Sequence, residues 1–371
     1  MADPDFSFGG VSTPRDTKRL YVTAILKPSM GDPRIQPTGF PDIGPVLYPD
    51  PSGPHGQICL IESEASMANR LEEVAVADKY TGTLLPELAG LPYIRAMKRE
   101  RFMTASTIDG HRFASEYIMK AKLRDTNGEA RKDEKLVDFV KRELDGSADN
   151  IPAANVPRIF RLVMELDPLA LIHGFQISLK GELTFVGLRS PRALTACIVG
   201  LNAQPVGVPG VRIDPIGTGD AGQAIFRKER IVAEKIEAKF SIDVGLLAGM
   251  AVGTDPVQNE EATAAEERIE VCDHRRRLLV ALSLWKVAKF LKDLSDGHRL
   301  RTECDLVLET AKYKTKWNDE SPKDFPFDAI LKAASAKKED KTDAEGSLQD
   351  LIAKAKLVPQ RSPLTLEYGG K

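Results

Sequence analysis

Three groups of residues carry side chains able to do chemistry. The first is Glu62-Ser63-Glu64-Ala65-Ser66-Met67-Ala68-Asn69-Arg70-Leu71-Glu72-Glu73, which comes after the apolar run Ile58-Cys59-Leu60-Ile61. The run has strand character and the stretch after it has helix periodicity, so a strand feeds a helix. At roughly 100° per residue, Met67, Ala68, Leu71, Val74 and Ala75 share one face, and Ser66, Asn69, Arg70 and Glu73 the other. A hydroxyl, an amide and a guanidinium near a helix N-terminus suit an anion, because the first N–H groups lack partners and the dipole there is positive. An ordinary solvated helix face is the alternative. The second group is Ile225-Phe226-Arg227-Lys228-Glu229-Arg230-Ile231-Val232. As a hairpin arm, its Arg227, Lys228 and Arg230 offer cations to phosphates and its apolar residues an edge to a base; otherwise it is a strand edge guarded by charge. The third is Asp32 and Asp42, in a loop dense in Pro and Gly. Carboxylates there serve metal-assisted RNA cleavage, or simply form turns beside proline.

Other patterns carry less. Gly217-Thr218-Gly219-Asp220-Ala221-Gly222 has dinucleotide-site spacing with Asp243 beyond it, but Pro215 stands where the required strand should continue. His111 and His173 are isolated, and no Ser/His/Asp or Cys/His set can be assembled from sequence order. The five His and four Cys are scattered without zinc-ligand spacing, so no metal is expected. Widely separated cysteines fit reduced thiols in a cytoplasmic protein. The acidic, non-apolar start Met-Ala-Asp-Pro-Asp-Phe is not a secretory signal, and no run reaches the roughly 20 apolar residues of a membrane helix. A net charge of −2 argues mildly against nucleic acid, yet Arg95–Arg142 is basic and Asp255–Asp273 acidic. Such asymmetry lets copies of a chain pair side by side.

The elements that must position these groups are mixed in type. Residues 1–18 are expected to be disordered. Arg19–Lys27 alternates as a half-buried strand ended by Pro28, and the prolines between Ser29 and Gln57 leave no regular element. Tyr80–Leu144 reads as a charged surface insertion with helical pieces, the best at Glu134–Leu144. Ile159–Leu166 and Leu171–Leu179 read as strands and Leu201–Ala224 as loop. Ile236–Leu246 reads as a strand, Arg275–Asp293 as the strongest helix, and Leu300–Leu308 as a late strand. A charged linker, a short helix and a tail fill 331–371. The pattern is α+β, and the ferredoxin-like βαββαβ arrangement with large insertions fits it.

Several of these stretches resemble a known family. Gln36-Pro37-Thr38-Gly39-Phe40-Pro41-Asp42-Ile43-Gly44, Glu62-Ser63 with Ser66 to Glu72, Ile225 to Arg230, and Gly297-His298-Arg299-Leu300-Arg301-Thr302-Glu303-Cys304-Asp305-Leu306 resemble the backbone (RAMP superfamily) subunit of the type I-G, formerly I-U, CRISPR effector Cascade. The likeness spans roughly residues 19–310.

The resemblance implies a modified RRM-like palm over 19–330, with fingers at about 80–150 and a thumb at about 201–235. It implies copies polymerised along a CRISPR guide RNA, a thumb that displaces a nucleotide at regular intervals, and target DNA recognised by base pairing with the guide. Other Cascade subunits and a separate helicase-nuclease are the implied partners, no cofactor is needed, and this subunit is not an enzyme. Guide contacts fall on Arg34, Gln36, Thr38 and Phe40 of the first loop, Ser66, Asn69 and Arg70 of the helix, Arg227, Lys228 and Arg230 of the thumb, and Arg99 and Arg101 of the fingers. The alternative is a metal-dependent endoribonuclease using Asp32 or Asp42.

Overall fold

The chain folds around an antiparallel sheet of seven strands whose alternate residues face one layer of helices. The computed structural model describes residues 6–14, 16–40, 44–51, 56–124, 130–144, 156–176, 189–207, 211–213, 224–226, 230–250, 252–253, 262–297, 300, 304–336, 346–357 and 363–369. The strands are β1 (Arg19–Pro28), β2 (Leu47–Pro49), β3 (Gln57–Glu62), β4 (Leu194–Leu201), β5 (Lys235–Asp243), β6 (Leu306–Lys314) and β7 (Lys323–Asp324), in the order β7-β6-β1-β5-β4-β3-β2. The helices on or beside this sheet include α1 (Glu64–Glu73), α2 (Val156–Leu166), α3 (Pro168–His173) and α4 (Ala262–Ser295). Four of these strands, β1, β4, β5 and β6 in chain order, lie side by side in the sheet as β6-β1-β5-β4, with α1 inserted in the chain between the first two and α4 between the last two.

The period-2 pattern explains the core. Leu20, Val22, Ala24 and Leu26 of β1 are buried, as are their cross-strand neighbours Ile242, Phe240, Ala238 and Ile236 of β5. Leu194, Ala196 and Ile198 of β4 continue the same face. Against it α4 sets Leu278, Leu282, Trp285 and Phe290, all at most 1% exposed, with the Phe290 ring edge-on to Phe240 at 5.9 Å. Each such side chain contributes about 1.5–3 kcal/mol through burial. The opposite face keeps Tyr21, Thr23 and Ser241 half-buried and Lys239 exposed.

Several elements differ from the sequence reading. Ile159–Leu166 belongs to the helix α2, not a strand. Its buried residues Ile159, Leu162, Val163 and Leu166 recur at i, i+3, i+4 and i+7, the spacing of a helix face. Pro168 starts α3, where its missing N–H costs nothing, so Leu171–His173 is helical. Phe6–Phe8 and Val11–Thr13 form a hairpin with Phe8 and Val11 buried, where disorder is predicted. The late strand runs from Leu306 to Lys314, later than predicted. The proline-rich first loop still makes short strands at Arg34–Ile35, Gly39–Phe40, Gly44–Pro45 and Leu47–Pro49, since two or three residues fit between prolines.

The largest difference concerns the insertion after α1. Arg101–Ala105, Ile94–Lys98, Leu364–Glu367, Lys122–Arg124 and Ala130–Lys135 form, in that order, a separate five-stranded sheet. Its middle strand comes from the segment read as a tail, lying parallel to Ile94–Lys98 and antiparallel to Lys122–Arg124. Arg275 of α4, 1% exposed, helps anchor that segment by donating to the Ala355 carbonyl at 2.9 Å, while a second bond at 2.9 Å reaches Val252 O and its guanidinium pairs with Glu165. A four-residue strand completed from so far away leaves no local signal in the sequence.

Leu366 is fully buried in that middle strand. Leu366→Ala is expected to destabilise the protein by about 2–5 kcal/mol in urea unfolding. A loss below about 1 kcal/mol would mean that the strand adds little to the insertion.

Candidate nucleic-acid interface

The first loop pairs with the segments after β4 and reaches Ile61 just before α1. Thr38 donates its backbone N–H to Ile61 O of β3 at 3.0 Å, so the first loop runs beside the strand that feeds α1. Only Ser63 separates β3 from α1, and it caps the helix: its Oγ accepts from the Ser66 N–H at 3.2 Å. Arg34–Ile35 then pairs with Arg230–Val232, which pairs in turn with Gln204–Val206. Two basic segments almost 200 residues apart in sequence are thereby joined edge to edge.

Within this strip, Arg34 grips Asp32 through Nε at 3.0 Å and Nη2 at 2.6 Å. The Arg34 hydrogen bonds, aided by the nearby Arg230 charge, hold the Asp32 carboxyl down at about 2. Asp32 is thus ionised and already engaged by a cation of its own loop. Gln36 is half-buried, its backbone carbonyl accepting from Cys304 Sγ at 2.9 Å, and Thr38 is half-buried. Phe40 pairs with Gly44 in a short antiparallel bridge.

The face of α1 differs from expectation. Met67, Ala68, Leu71, Val74 and Ala75 are buried as predicted, and Asn69 is exposed. Ser66, placed on the outward face by the sequence, is only 6% exposed, and its hydroxyl has no hydrogen-bond partner among the described residues. With a single residue between strand and helix, the first turn stays against the sheet and covers so short a side chain. Arg70 is half-buried and donates to Glu73 at 2.6 Å, and Lys79 binds the same carboxylate. Burial pushes the Glu73 carboxyl up, but these two cations outweigh it and leave it below its ordinary value.

The other predicted contacts are dispersed. Arg99 is exposed and, with Glu100, forms the two-residue turn between Ile94–Lys98 and Arg101–Ala105, both at positive φ. Arg101 is exposed at the start of the returning strand. These two lie on the insertion sheet, not on the strip. Arg227, Lys228, Asp42 and Gly217–Gly222 lie outside the described residues. Among the described residues no group of three His, Cys, Asp or Glu is arranged to hold a metal ion.

A cluster that sequence reading missed lies beneath the C-terminal half of α1. Glu72 pairs with Arg112 of the insertion, and both side chains are nearly buried, at 13% and 12% exposure. Lys286 of α4, fully buried, donates to Leu71 O at 2.8 Å and so satisfies an orphan carbonyl in the last turn of α1. Asp167 and His173, at either end of α3, complete the group at 1% and 2% exposure, with Glu72 Oε1 4.0 Å from His173 Nδ1. A signal was present: Lys286 falls four residues after Leu282, on the apolar face of the strongest helix.

Burial drives the electrostatics of this cluster. It depresses the Lys286 amine to about 8, against the pull of Glu72 and Asp167. It raises the Glu72 carboxyl, with Arg112 and Lys286 opposing, and holds the His173 imidazole well below its usual value, leaving it neutral at pH 7. The Asp167 carboxyl is pushed up to about 6 by burial, only partly offset by Ser106, the Ala170 amide and Arg112.

Asp167 gives a test of sign. An acid raised from about 3.9 in the unfolded chain to about 6 in the fold favours folding only while protonated. That contribution is full below about pH 4 and is lost as pH rises through about 6. Asp167→Asn removes the charge and keeps a side chain of the same shape, so it should raise stability at pH 7.5, by up to about 3 kcal/mol. The gain should vanish near pH 4 in urea unfolding. Equal destabilisation at both pH values would show that its hydrogen bonding, not its charge, governs the site.

The chain has relatives among known proteins. The sequence profile of the family "CRISPR-associated protein GSU0053" matches residues 20–205, from β1 through the strand after β4. No curated protein matches the chain. Among solved structures, a chain of a "CRISPR RNA-guided surveillance complex, pre-nicking" aligns over 81% of this chain and 77% of its own length, at 10% identity and a TM-score of 0.32, too distant to carry an argument. The profile match, which takes in half of the sequence, places the chain in the CRISPR-associated GSU0053 family.

Proposed function

We propose that this protein is a non-catalytic subunit that binds CRISPR guide RNA and assembles in several copies along it, forming the backbone of a type I-G Cascade effector in the cytoplasm. In this reading β1, β4, β5 and β6 with α1 and α4 are an RRM-like palm, because their order is that of a βαββαβ ferredoxin-like unit. The five-stranded insertion serves as fingers and the segment between β4 and β5 as a thumb. Target DNA is read by the guide through base pairing, while the protein holds backbone and shape. Other Cascade subunits and a helicase-nuclease complete the assembly.

The observation that carries the RNA-binding reading is the pairing of Arg34–Ile35 with Arg230–Val232. It brings two arginines distant in sequence into one three-stranded strip. Asp32 engages Nε and Nη2 of Arg34, which leaves Nη1 to a phosphate. Asp32 therefore acts here as an arginine orienter and not as a metal ligand.

Purified protein should carry RNA and form long oligomers that shorten with nuclease or salt. An RNA-free monomer indifferent to added guide RNA would sink the proposal. Replacing both Arg34 and Arg230 by Ala should weaken single-stranded RNA binding and lower the slope of log K against log salt by about 1.4, two phosphate contacts at about 0.7 each. Asp32→Ala, which frees Arg34, should leave binding equal or tighter. Mg²⁺-dependent RNA cleavage abolished by that substitution would favour the endoribonuclease instead.

A further inference from the structure

A cavity of about 460 Å³ opens beside the buried cluster, with Arg112, Arg189, Arg192, His111, His173 and Thr195 among its lining. Its described lining contains three arginines, two histidines and no carboxylate. The volume lies in the range of small-ligand sites. Arg189 and Arg192 are exposed at the mouth. His173 lies at the base, 2% exposed, and neither ring nitrogen has a hydrogen-bond partner among the described residues. A buried polar side chain with no partner is costly, and its place in the wall of a cationic cavity calls for a ligand.

The backbone around the cavity is held tightly. Phe175 and Gln176 pair with Ser190 and Arg189, and Ala193 donates to Ile172 O at 2.9 Å, which clamps the arginine-bearing segment onto the end of α3. Gly174, at φ +75°, makes the approach possible: a Cβ there would sit 2.7 Å from Ser190 O. Arg112 stands in the left-handed region at φ 55°, a conformation that costs about 1–3 kcal/mol and persists where surrounding contacts dictate it. Its guanidinium is committed to Glu72, so Arg189 and Arg192 are the cations available at the cavity mouth.

We propose that this cavity binds a nucleotide through its phosphate, presented within an RNA strand or as a free nucleoside triphosphate. Guanidinium forks match phosphate oxygens in pairs, and the neutral His173 supplies one N–H donor beneath them. Neither Arg34 nor Arg230 is among its described lining. As an RNA contact it rests on the function proposed above; as a nucleotide site it does not.

The test measures equilibrium binding of fluorescein-labelled oligouridylate and of ATP to the full chain and to two double variants, R189A/R192A and R189K/R192K. Melting followed by circular dichroism confirms that each is folded. The Ala pair should lose about tenfold or more in affinity for at least one probe, and the Lys pair should recover part of it, because charge returns without the fork. Unchanged binding of both probes by the Ala pair overturns the proposal, and so does a loss that the Lys pair does not recover at all. The two readings separate cleanly. RNA binding sensitive to Arg34 and Arg230 but not to the Ala pair removes the cavity and keeps the RNA strip. ATP binding lost in the Ala pair, by a protein that ignores RNA, keeps the cavity and removes the RNA reading. A protein that binds neither probe loses both.

Discussion

The buried amine of Lys286 is the constraint around which three parts of the chain are arranged. A cation inside a core is tolerated only with compensation, and stripping a buried charge of its partner typically costs about 3–5 kcal/mol. Compensation comes from α1, through the Leu71 carbonyl and the Glu72 carboxylate, and from Asp167 at the start of α3. Glu72 in turn binds Arg112, which belongs to the insertion. Helix α1, the insertion and the α2–α3 pair therefore meet at one group of charges, and none can shift without leaving a buried charge in the others uncompensated. Such clusters confer register more than stability, since well-packed apolar residues would be at least as stable.

Helix α1 has different neighbours at its two ends. Its N-terminal turn faces the first loop, and its C-terminal turn covers the charged cluster. Two electropositive regions are fed by different segments: Arg34 with Arg230 in one, and Arg189 with Arg192 in the other. The sequence-based view of α1 as a single anion-facing stripe was too simple. Ser66 is covered, Arg70 is tied to Glu73, and Asn69 alone of the three predicted contacts is exposed.

The elements legible in the sequence were those in which local period and burial agree. β1 and β5 alternate cleanly, and α1 and α4 keep an apolar stripe, so each was read from its own residues. The failures share a cause as well. The apolar run in α2 is rich in residues that suit either state, and Pro168 just after it breaks the i, i+3, i+4 pattern short. The insertion looked like charged surface because its sheet closes with a strand more than 200 residues away, and pairing at that distance leaves no local trace. The charged cluster was invisible for the same reason, its members coming from four separate segments. Only Lys286, a lysine on an apolar face, announced itself.

The arrival of Leu364–Glu367 in the middle of the insertion sheet has a kinetic consequence. Ile94–Lys98 and Lys122–Arg124 flank that strand and pair with it, not with each other. Until it is made, both present bare hydrogen-bonding edges, and such edges recruit other chains. At about 5–20 residues per second of synthesis, the 240 residues between Arg124 and Leu364 hold this gap open on the order of 10–50 s. Closing it also requires a long loop, which slows folding through contact order. The insertion is thus the last unit to mature, and a nascent chain is at its most adhesive when the seven-stranded sheet is already made.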